Sequence, residues 1–300
     1  MSFNLSEIKK LFKKSSYSIK DDKDIEEAKK YFSTLLSQAG LPKGIDVREH
    51  SLFSPIDVIK PGMAVKDATS FYVMGAGFVL GSREAYRCFV ATLSDLLSME
   101  VYLPQYKVSL EHSFFNAIED IYRAYKFMLT KEYRKVFLIA DGAGAYLSIK
   151  LLEKIKKENV KTPDKIAFIS PFLDLSCSNL ALENKKKDFV FTEESLSFFA
   201  NYILKDQSNE SHLIGNDIII ESDLLQNKEL FTFLPPIILQ VSSSELLYND
   251  SIRMKEIVQE VGGKIDLEVY KDGFHMFQAF EDDAMLSYTA CTSLSKRLKD

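Results

Sequence analysis

Short apolar runs alternate with stretches of helical periodicity along most of the chain. We interpret six apolar runs as strands, at residues 71–75, 100–104, 135–140, 165–170, 236–242 and 264–270. Several of the stretches between them, such as "FFNAIEDIYRAYKFML" and "YLSIKLLEKIKK", place apolar residues three and four positions apart, which is typical of amphipathic helices. Strands that alternate with helices predict an α/β fold with a mainly parallel central sheet and helices on both faces.

Three segments depart from this alternation. The stretch "LPKGIDVREHSLFSP" (41–55) is compatible with antiparallel strands at one edge of the sheet. Residues 1–40 predict two amphipathic helices. Residues 177–235 contain no clear strand, but they predict a helix at about 192–205. An insertion between two core strands is a natural lid over the carboxyl edge of the sheet, where open α/β folds bind ligands.

Composition narrows the classes of partner and location. The 300 residues carry a formal net charge of −5 with no extended basic block, so a nucleic-acid partner is not expected. No run approaches the roughly 18 apolar residues of a membrane span, and the polar N-terminus lacks the apolar core of a secretory signal. The three cysteines show no ligand spacing, which favours a reducing compartment without structural zinc.

A glycine-rich turn follows the first strand of the predicted parallel sheet. In "MGAGF" (74–78), the small residues Gly75, Ala76 and Gly77 let the backbone approach a ligand closely. Their N–H groups are candidates to face a developing oxyanion.

A second small-residue turn joins the strand 135–140 to a helix. A nucleophile elbow has the pattern G-x-S-x-G, and the corresponding positions here are Ala140, Gly142 and Gly144. The pattern therefore predicts the sharp turn of an elbow without its hydroxyl group. Ala143 is expected to present its N–H at the start of the helix.

Two further candidates follow the later strands. Glu245 lies in "QVSSSELLYNDS" just after a strand, and His275 lies in the loop "DGFHMFQAF" before the last helix. Each residue alone is unremarkable, but the chain order of elbow, acid and histidine is the order found in α/β-hydrolases. The hydroxyls of Ser82 and of Ser242 to Ser244 follow no elbow, and we interpret them as turn or capping groups.

Taken together, these motifs resemble those of the bacterial hormone-sensitive-lipase family of α/β-hydrolases, which are carboxylesterases that act on short acyl chains. The resemblance runs from about residue 23 to the C-terminus. It rests on "MGAGF", "YKVSLEHSF" (106–114), "ADGAGA" (140–145), "SPFLDL" (170–175), "SSSELLYNDS" (242–251) and "FHMFQAF" (274–280). The resemblance implies an α/β-hydrolase fold with an eight-stranded sheet and a helical cap.

The resemblance also implies a division of the chain and roles for single residues. The implied parts are N-terminal cap helices at 1–50, the first part of the core at 51–176, a cap insertion at 177–235 and the second part of the core at 236–300. The implied roles are Gly142 at the nucleophile position, Glu245 as acid, His275 as base, and Gly75, Ala76, Gly77 and Ala143 in the oxyanion hole. Glycine has no atom that attacks a carbonyl, so an acyl-enzyme cannot form by the family route.

Neighbouring departures from the family pattern favour a natural loss of catalysis. Met74 replaces the family's histidine, Ala140 replaces the first glycine of the elbow, and Gln105 stands where aspartate is usual. We therefore expect a hydrolytically inactive protein that binds a small apolar or ester-like ligand, or a partner, in the former active site. A carboxylesterase whose serine at position 142 was removed by substitution remains an alternative.

Several expectations about the whole protein accompany this interpretation. No cofactor is expected, a homodimer remains possible, and the family and the free cysteines together suggest a bacterial cytoplasm. A third alternative is an interaction protein that uses its N-terminal helices as a partner surface. That alternative requires an exposed apolar face on residues 3–12.

Overall fold

One eight-stranded sheet forms the centre of the molecule. The computed structural model describes residues 5–15, 19, 22–37, 40–51, 54–106, 114–204, 219–280 and 285–300. The strands are β1 (Ile45–Ser51), β2 (Pro55–Pro61), β3 (Ala68–Val73), β4 (Glu100–Pro104), β5 (Lys135–Asp141), β6 (Lys165–Ile169), β7 (Ile237–Ser242) and β8 (Ile265–Tyr270). Their order in the sheet is β1-β2-β4-β3-β5-β6-β7-β8.

The sheet is parallel except at the edge that contains β1 and β2. Strand β1 pairs antiparallel with β2, and β2 pairs antiparallel with β4. Every residue of β3 and β7 is buried, as expected for strands covered on both faces. The α/β-hydrolase fold is therefore confirmed. The strand predicted at 71–75 ends two residues earlier in the structure, because β3 stops at Val73 and Met74 and Gly75 belong to the following turn.

Helices cover both faces of the sheet. Those of the described chain are α1 (Leu5–Ser15), α2 (Asp22–Leu36), α3 (Arg83–Leu97), α4 (Phe114–Leu129), α5 (Ala143–Lys157), α6 (Glu193–Leu204), α7 (Tyr248–Glu260) and α8 (Leu286–Lys299). Helix α3 packs against α8, and α4 packs against α5. In α3 and α4 the apolar spacing read from the sequence is the reason, because it places a buried stripe on each of these helices, whereas the first ten residues of α5 are buried on all sides.

The N-terminal helices pack onto the rest of the protein. In α1, the side chains of Ile8 and Phe12 are 1% and 3% exposed. The Phe12 ring stands edge-on to three other rings, those of Phe189, Phe274 and Phe280. Of the apolar face on residues 3–12 that the interaction-protein alternative requires, Ile8 and Phe12 are therefore packed inside the protein, and the side chains of Phe3, Leu5 and Leu11 lie outside the described residues.

The predicted division of the chain stays a prediction, but two of its features can be located. Strand β1 begins at Ile45, so the predicted boundary between residues 50 and 51 falls within a strand of the sheet. The described part of the insertion contains α6 and short 3-10 helices. Residues 205–218 of the insertion, and residues 107–113 of "YKVSLEHSF", lie outside the described residues.

Candidate active site

Gly142 occupies the sharp turn between β5 and α5. Its backbone angles are φ 45° and ψ −121°. Its N–H donates to the Ile169 carbonyl at 2.9 Å, and its carbonyl accepts from Ala145 and Phe172 at 3.1 and 3.0 Å. A Cβ on Gly144 would lie 2.2 Å from the Val73 carbonyl oxygen, so glycine is required there by close packing. The elbow-like turn expected from the sequence is therefore present in the backbone.

Glu245 and His275 form a buried pair. The His275 Nδ1 atom lies 2.9 Å from Glu245 Oε2. The other carboxylate oxygen, Oε1, accepts from the Ser170 hydroxyl at 2.8 Å and from the Ser242 N–H at 2.7 Å. Three donors thus fix the carboxylate, and the carboxylate in turn fixes the imidazole with its Nε2 atom facing the Gly142 turn.

The imidazole lies within contact distance of the place that a side chain at position 142 would occupy. A Cβ built on Gly142 would lie 3.3 Å from His275 Nε2. Burial lowers the pKa of the His275 imidazole, but the hydrogen bond and charge of Glu245, with the charges of Asp188 and Asp141, raise the pKa overall above its usual value. The elbow, the acid and the histidine, which are far apart in the sequence, are therefore brought together in space.

The glycine-rich turn after β3 lies beside Gly142. The N–H of Gly75 donates to Asp141 Oδ1 at 3.1 Å, so this group is engaged within the protein. Ala76 and Gly77 have φ angles of 43° and 56°, and their N–H groups have no hydrogen-bond acceptor among the described residues. The ring of Phe199 lies against Gly77, where an added Cβ would be 2.8 Å away. Only two of the three predicted residues of this turn therefore have N–H groups available to a ligand.

Asp141 is a central residue of the site that the sequence pattern does not single out. Its buried carboxylate accepts from the Tyr72 hydroxyl at 2.7 Å, the Tyr86 hydroxyl at 3.0 Å and the Gly75 N–H. Burial raises the pKa of this carboxyl to about 6, although these hydrogen bonds oppose the shift. Asp141 therefore ties the elbow to the glycine-rich turn. In the sequence, only its position immediately before Gly142 indicates that Asp141 belongs to the site.

The positions that depart from the family pattern have internal partners. The Gln105 side chain accepts from the Arg83 N–H at 3.0 Å and donates to the Tyr106 carbonyl at 2.7 Å. The Tyr106 hydroxyl donates to the Met74 carbonyl at 2.7 Å. These contacts hold the strand ends that flank the glycine-rich turn.

An apolar pocket opens above the His275 imidazole. The N-terminal helices contribute Phe12 and Phe32 to its wall, and the insertion contributes Phe191 and Phe199. Below the two insertion rings, a narrower crevice reaches Gly142, with walls that include Gly77, Ala143, Leu196 and Leu247. The Phe191 ring lies 4.6 Å from the imidazole, centroid to centroid. The polar atoms of the site thus lie at the bottom of an apolar cleft.

The other candidate nucleophiles have structural roles. The Ser82 hydroxyl accepts from the Ala85 N–H and begins α3. The Ser242 hydroxyl donates to the Gly273 carbonyl at 2.8 Å. Burial raises the pKa of the Cys177 and Cys291 thiols to about 11 and about 12, so neither is an activated thiolate.

Two further kinds of feature are absent from the described residues. No three His, Cys, Asp or Glu side chains in the described ranges come together as a possible metal site. Among the helices described, none combines the length and the apolar character needed to cross a membrane.

Both the sequence and the fold are similar to those of known hydrolases. A family model described as alpha/beta hydrolase fold matches residues 70–279. The chain is 26% identical to an esterase of Acinetobacter venetianus over 70% of this chain and 67% of that esterase. It is 27% identical to an acetyl-hydrolase of Streptomyces hygroscopicus over 70% of this chain and 68% of that protein. A solved esterase from the bacterial hormone-sensitive lipase family superposes with a TM-score of 0.85 at 21% identity, covering 100% of this chain and 99% of the other.

Proposed function

The chain belongs to the α/β-hydrolase family and is esterase- and lipase-like within it, and we propose that it binds a small apolar or ester-like ligand without hydrolysing it through a serine. The observation that carries the proposal is the geometry at position 142. The turn that faces His275 carries no side chain, although a Cβ at this position would lie only 3.3 Å from Nε2. Without a side chain on this turn, the buried Glu245–His275 pair has no hydroxyl to activate at the position of the family's nucleophile.

The shape of the cleft supports ligand binding. Its upper walls are mainly apolar side chains together with Ala76, and its lower end is lined by Gly77 and Ala143 beside the imidazole. An apolar pocket with a few convergent polar groups is the usual form of a small-molecule site. Such a site orients a carbonyl group toward the backbone N–H donors and buries the attached hydrocarbon chain.

The proposal is tested with two measurements on the unmodified chain. Methyl hexanoate is expected to bind when titrated in a calorimeter or by NMR. p-Nitrophenyl butyrate is expected to be hydrolysed at no more than roughly a thousand times the rate in water, the level that oxyanion stabilisation and binding sustain without a nucleophile. Turnover far above that level, or no binding of the ester, would contradict the proposal.

A carboxylesterase whose serine was replaced is the second candidate, and the intact Glu245–His275 geometry favours it. Gly142→Ser tests this candidate, with Gly62→Ser as a matched control on an exposed turn. If the pocket retains its catalytic geometry, Gly142→Ser raises p-nitrophenyl butyrate turnover by about a thousand-fold or more over the glycine form. A folded but silent Gly142→Ser protein leaves binding as the function.

A further inference from the structure

The Nε2 atom of His275 has no hydrogen-bond partner among the described residues, and its side chain lines the crevice that reaches Gly142. The side chain is 8% exposed, and its Nδ1 atom is bound to Glu245. Nε2 faces the Gly142 turn, where a Cβ would lie 3.3 Å away. In a serine hydrolase the nucleophile's hydroxyl occupies this position and satisfies the imidazole. Here a ligand atom must take that place for the imidazole to make its second hydrogen bond.

Residues whose backbone N–H groups have no acceptor among the described residues line the same cleft, Gly77 and Ala143 at the crevice and Ala76 on the pocket above it. Ala143 is the first residue of α5, so its N–H has no acceptor within the helix, and the positive end of the helix dipole is directed there. The N–H groups of Ala76 and Gly77 lie on the adjacent turn and have no acceptor among the described residues. Donors on one side and an imidazole on the other suit a group with two acceptor oxygens.

The charges around His275 favour its protonated form. Glu245 binds Nδ1 directly, and the carboxylates of Asp188 and Asp141 lie farther away. Each distant carboxylate is satisfied by its own donors. Asp188 accepts from the N–H groups of Val190, Phe191 and Leu246, and Asp141 accepts from two tyrosines and Gly75. These donors occupy the two distant carboxylates, whereas Nε2 of the imidazole faces the Gly142 turn.

The rest of the cleft specifies what the ligand must carry besides this polar group. Above the imidazole, its walls are formed mainly by aromatic and aliphatic side chains such as Phe32, Phe191 and Phe199. A charged or strongly hydrated tail would lose its solvation there without gaining hydrogen bonds. A hydrocarbon tail gains about 0.8 kcal/mol for each methylene that it buries, which is roughly fourfold in affinity.

We infer that the ligand of this site is an aliphatic monocarboxylate. One carboxylate oxygen accepts from the backbone N–H groups, the other accepts from His275 Nε2, and the hydrocarbon tail lies in the apolar cleft. The inference rests on the proposed function and adds the chemical class of the ligand. It follows from the loss of the side chain at position 142, because a serine hydroxyl would compete for the same nitrogen.

The first experiment compares hexanoate with its methyl ester on the full chain. At about pH 7 we expect hexanoate to bind roughly 10- to 100-fold more tightly, the usual worth of a charge-assisted hydrogen bond. The advantage is expected to shrink as the pH rises through the pKa of the imidazole, which the neighbouring carboxylates raise, because the imidazolium is then lost while the methyl ester has no charge to lose. Acetate is expected to bind more weakly than hexanoate because its tail is shorter.

A reciprocal measurement uses the same unmodified protein. If hexanoate binds the imidazolium tenfold more tightly than the imidazole, it must raise the pKa of His275 by about one unit. An NMR titration of His275 with hexanoate, and then with methyl hexanoate, measures this shift directly. Only the acid is expected to produce it.

A variant removes the charge while keeping a hydrogen-bonding side chain. His275→Gln is expected to weaken hexanoate by at least tenfold and to abolish the pH dependence of binding. His50→Gln is the matched control, since this half-buried histidine lies on β1 and contacts the Phe127 ring instead. Equal binding of hexanoate and methyl hexanoate at about pH 7, or an unshifted His275 pKa, would overturn the inference and leave the proposed function standing. Binding of neither compound would overturn both.

Discussion

At the scale of single residues, the site depends on buried polar groups whose hydrogen bonds are nearly all made within the protein. Asp141 is the clearest case, because its carboxylate joins β3, α3 and the glycine-rich turn through Tyr72, Tyr86 and Gly75. A buried carboxylate with three donors still carries a desolvation cost. Because burial raises the pKa of the Asp141 carboxyl more than the hydrogen bonds lower it, the pKa is about 6, above the ordinary value of 3.8.

This pKa predicts how stability depends on pH. Because the folded state holds the Asp141 proton more tightly than the unfolded state, its contribution to stability is full below about pH 4. That contribution is lost as the pH rises through about 6. The wild type should therefore lose roughly 3 kcal/mol relative to Asp141→Asn over this range.

Urea unfolding of both proteins at a series of pH values measures this difference. The control is Asp46→Asn, at an exposed aspartate whose ion pair with Arg48 is also exposed. Its difference from the wild type should stay nearly constant with pH. A flat difference for Asp141→Asn as well would show that the carboxyl titrates normally in the folded protein.

At the scale of elements, helix α1 closes the apolar cleft through one aromatic side chain. The Phe12 ring lies 5.5 Å from the Phe280 ring and 5.8 Å from the Phe189 ring, centroid to centroid. The remaining described contacts of α1 are mainly with α2. The position of the helix over the cleft thus depends strongly on Phe12.

Phe12→Ala is expected to release α1 from the cleft. Truncation of a buried phenylalanine typically removes about 3–5 kcal/mol of packing, which is more than a short surface helix can replace. Hydrogen exchange of the α1 amides should become faster, while exchange in β5 and β6 stays unchanged. Lys10→Ala, at an exposed position of the same helix, is the control. Unchanged exchange in α1 would mean that its other contacts hold it in place.

At the scale of the whole molecule, the insertion is tied to the turn that carries Glu245. The Ala181 N–H donates to the Leu246 carbonyl at 2.8 Å. The Asn184 side chain donates to the carbonyls of Ser243 and Glu245, both at 2.9 Å. Asp188 accepts from the Leu246 N–H at 2.8 Å and also holds the loop that places Phe191 over His275. These hydrogen bonds therefore fix the insertion to the turn that carries Glu245.

Asp188→Ala is expected to destabilise the whole fold. It removes the acceptor of three N–H groups, and each buried donor left without a partner costs about 1–3 kcal/mol. We expect the free energy of unfolding to fall by at least about 2 kcal/mol. Urea unfolding compared with Asp46→Ala measures the effect. A loss no larger than that of the exposed control would show that water replaces the carboxylate.

Much of the fold could be predicted because its signals are local. Apolar runs such as 135–140 and 165–170 become buried parallel strands, since only a strand covered on both faces accepts a continuous apolar sequence. The elbow-like turn at Gly142 could also be predicted, because small residues are required wherever a strand turns sharply into a helix. The order of elbow, acid and histidine was sufficient to predict that they meet.

The sequence by itself thus determined the architecture, the turn and the missing side chain at position 142. Only the tertiary structure decided which groups of the site are already engaged. In the folded protein the Gly75 N–H donates to Asp141, while the N–H groups of Ala76 and Gly77 have no acceptor among the described residues. The Nε2 atom of His275 faces Gly142. The physical reason is that a hydrogen bond between distant residues depends on how helices and strands pack, and no local periodicity records that packing.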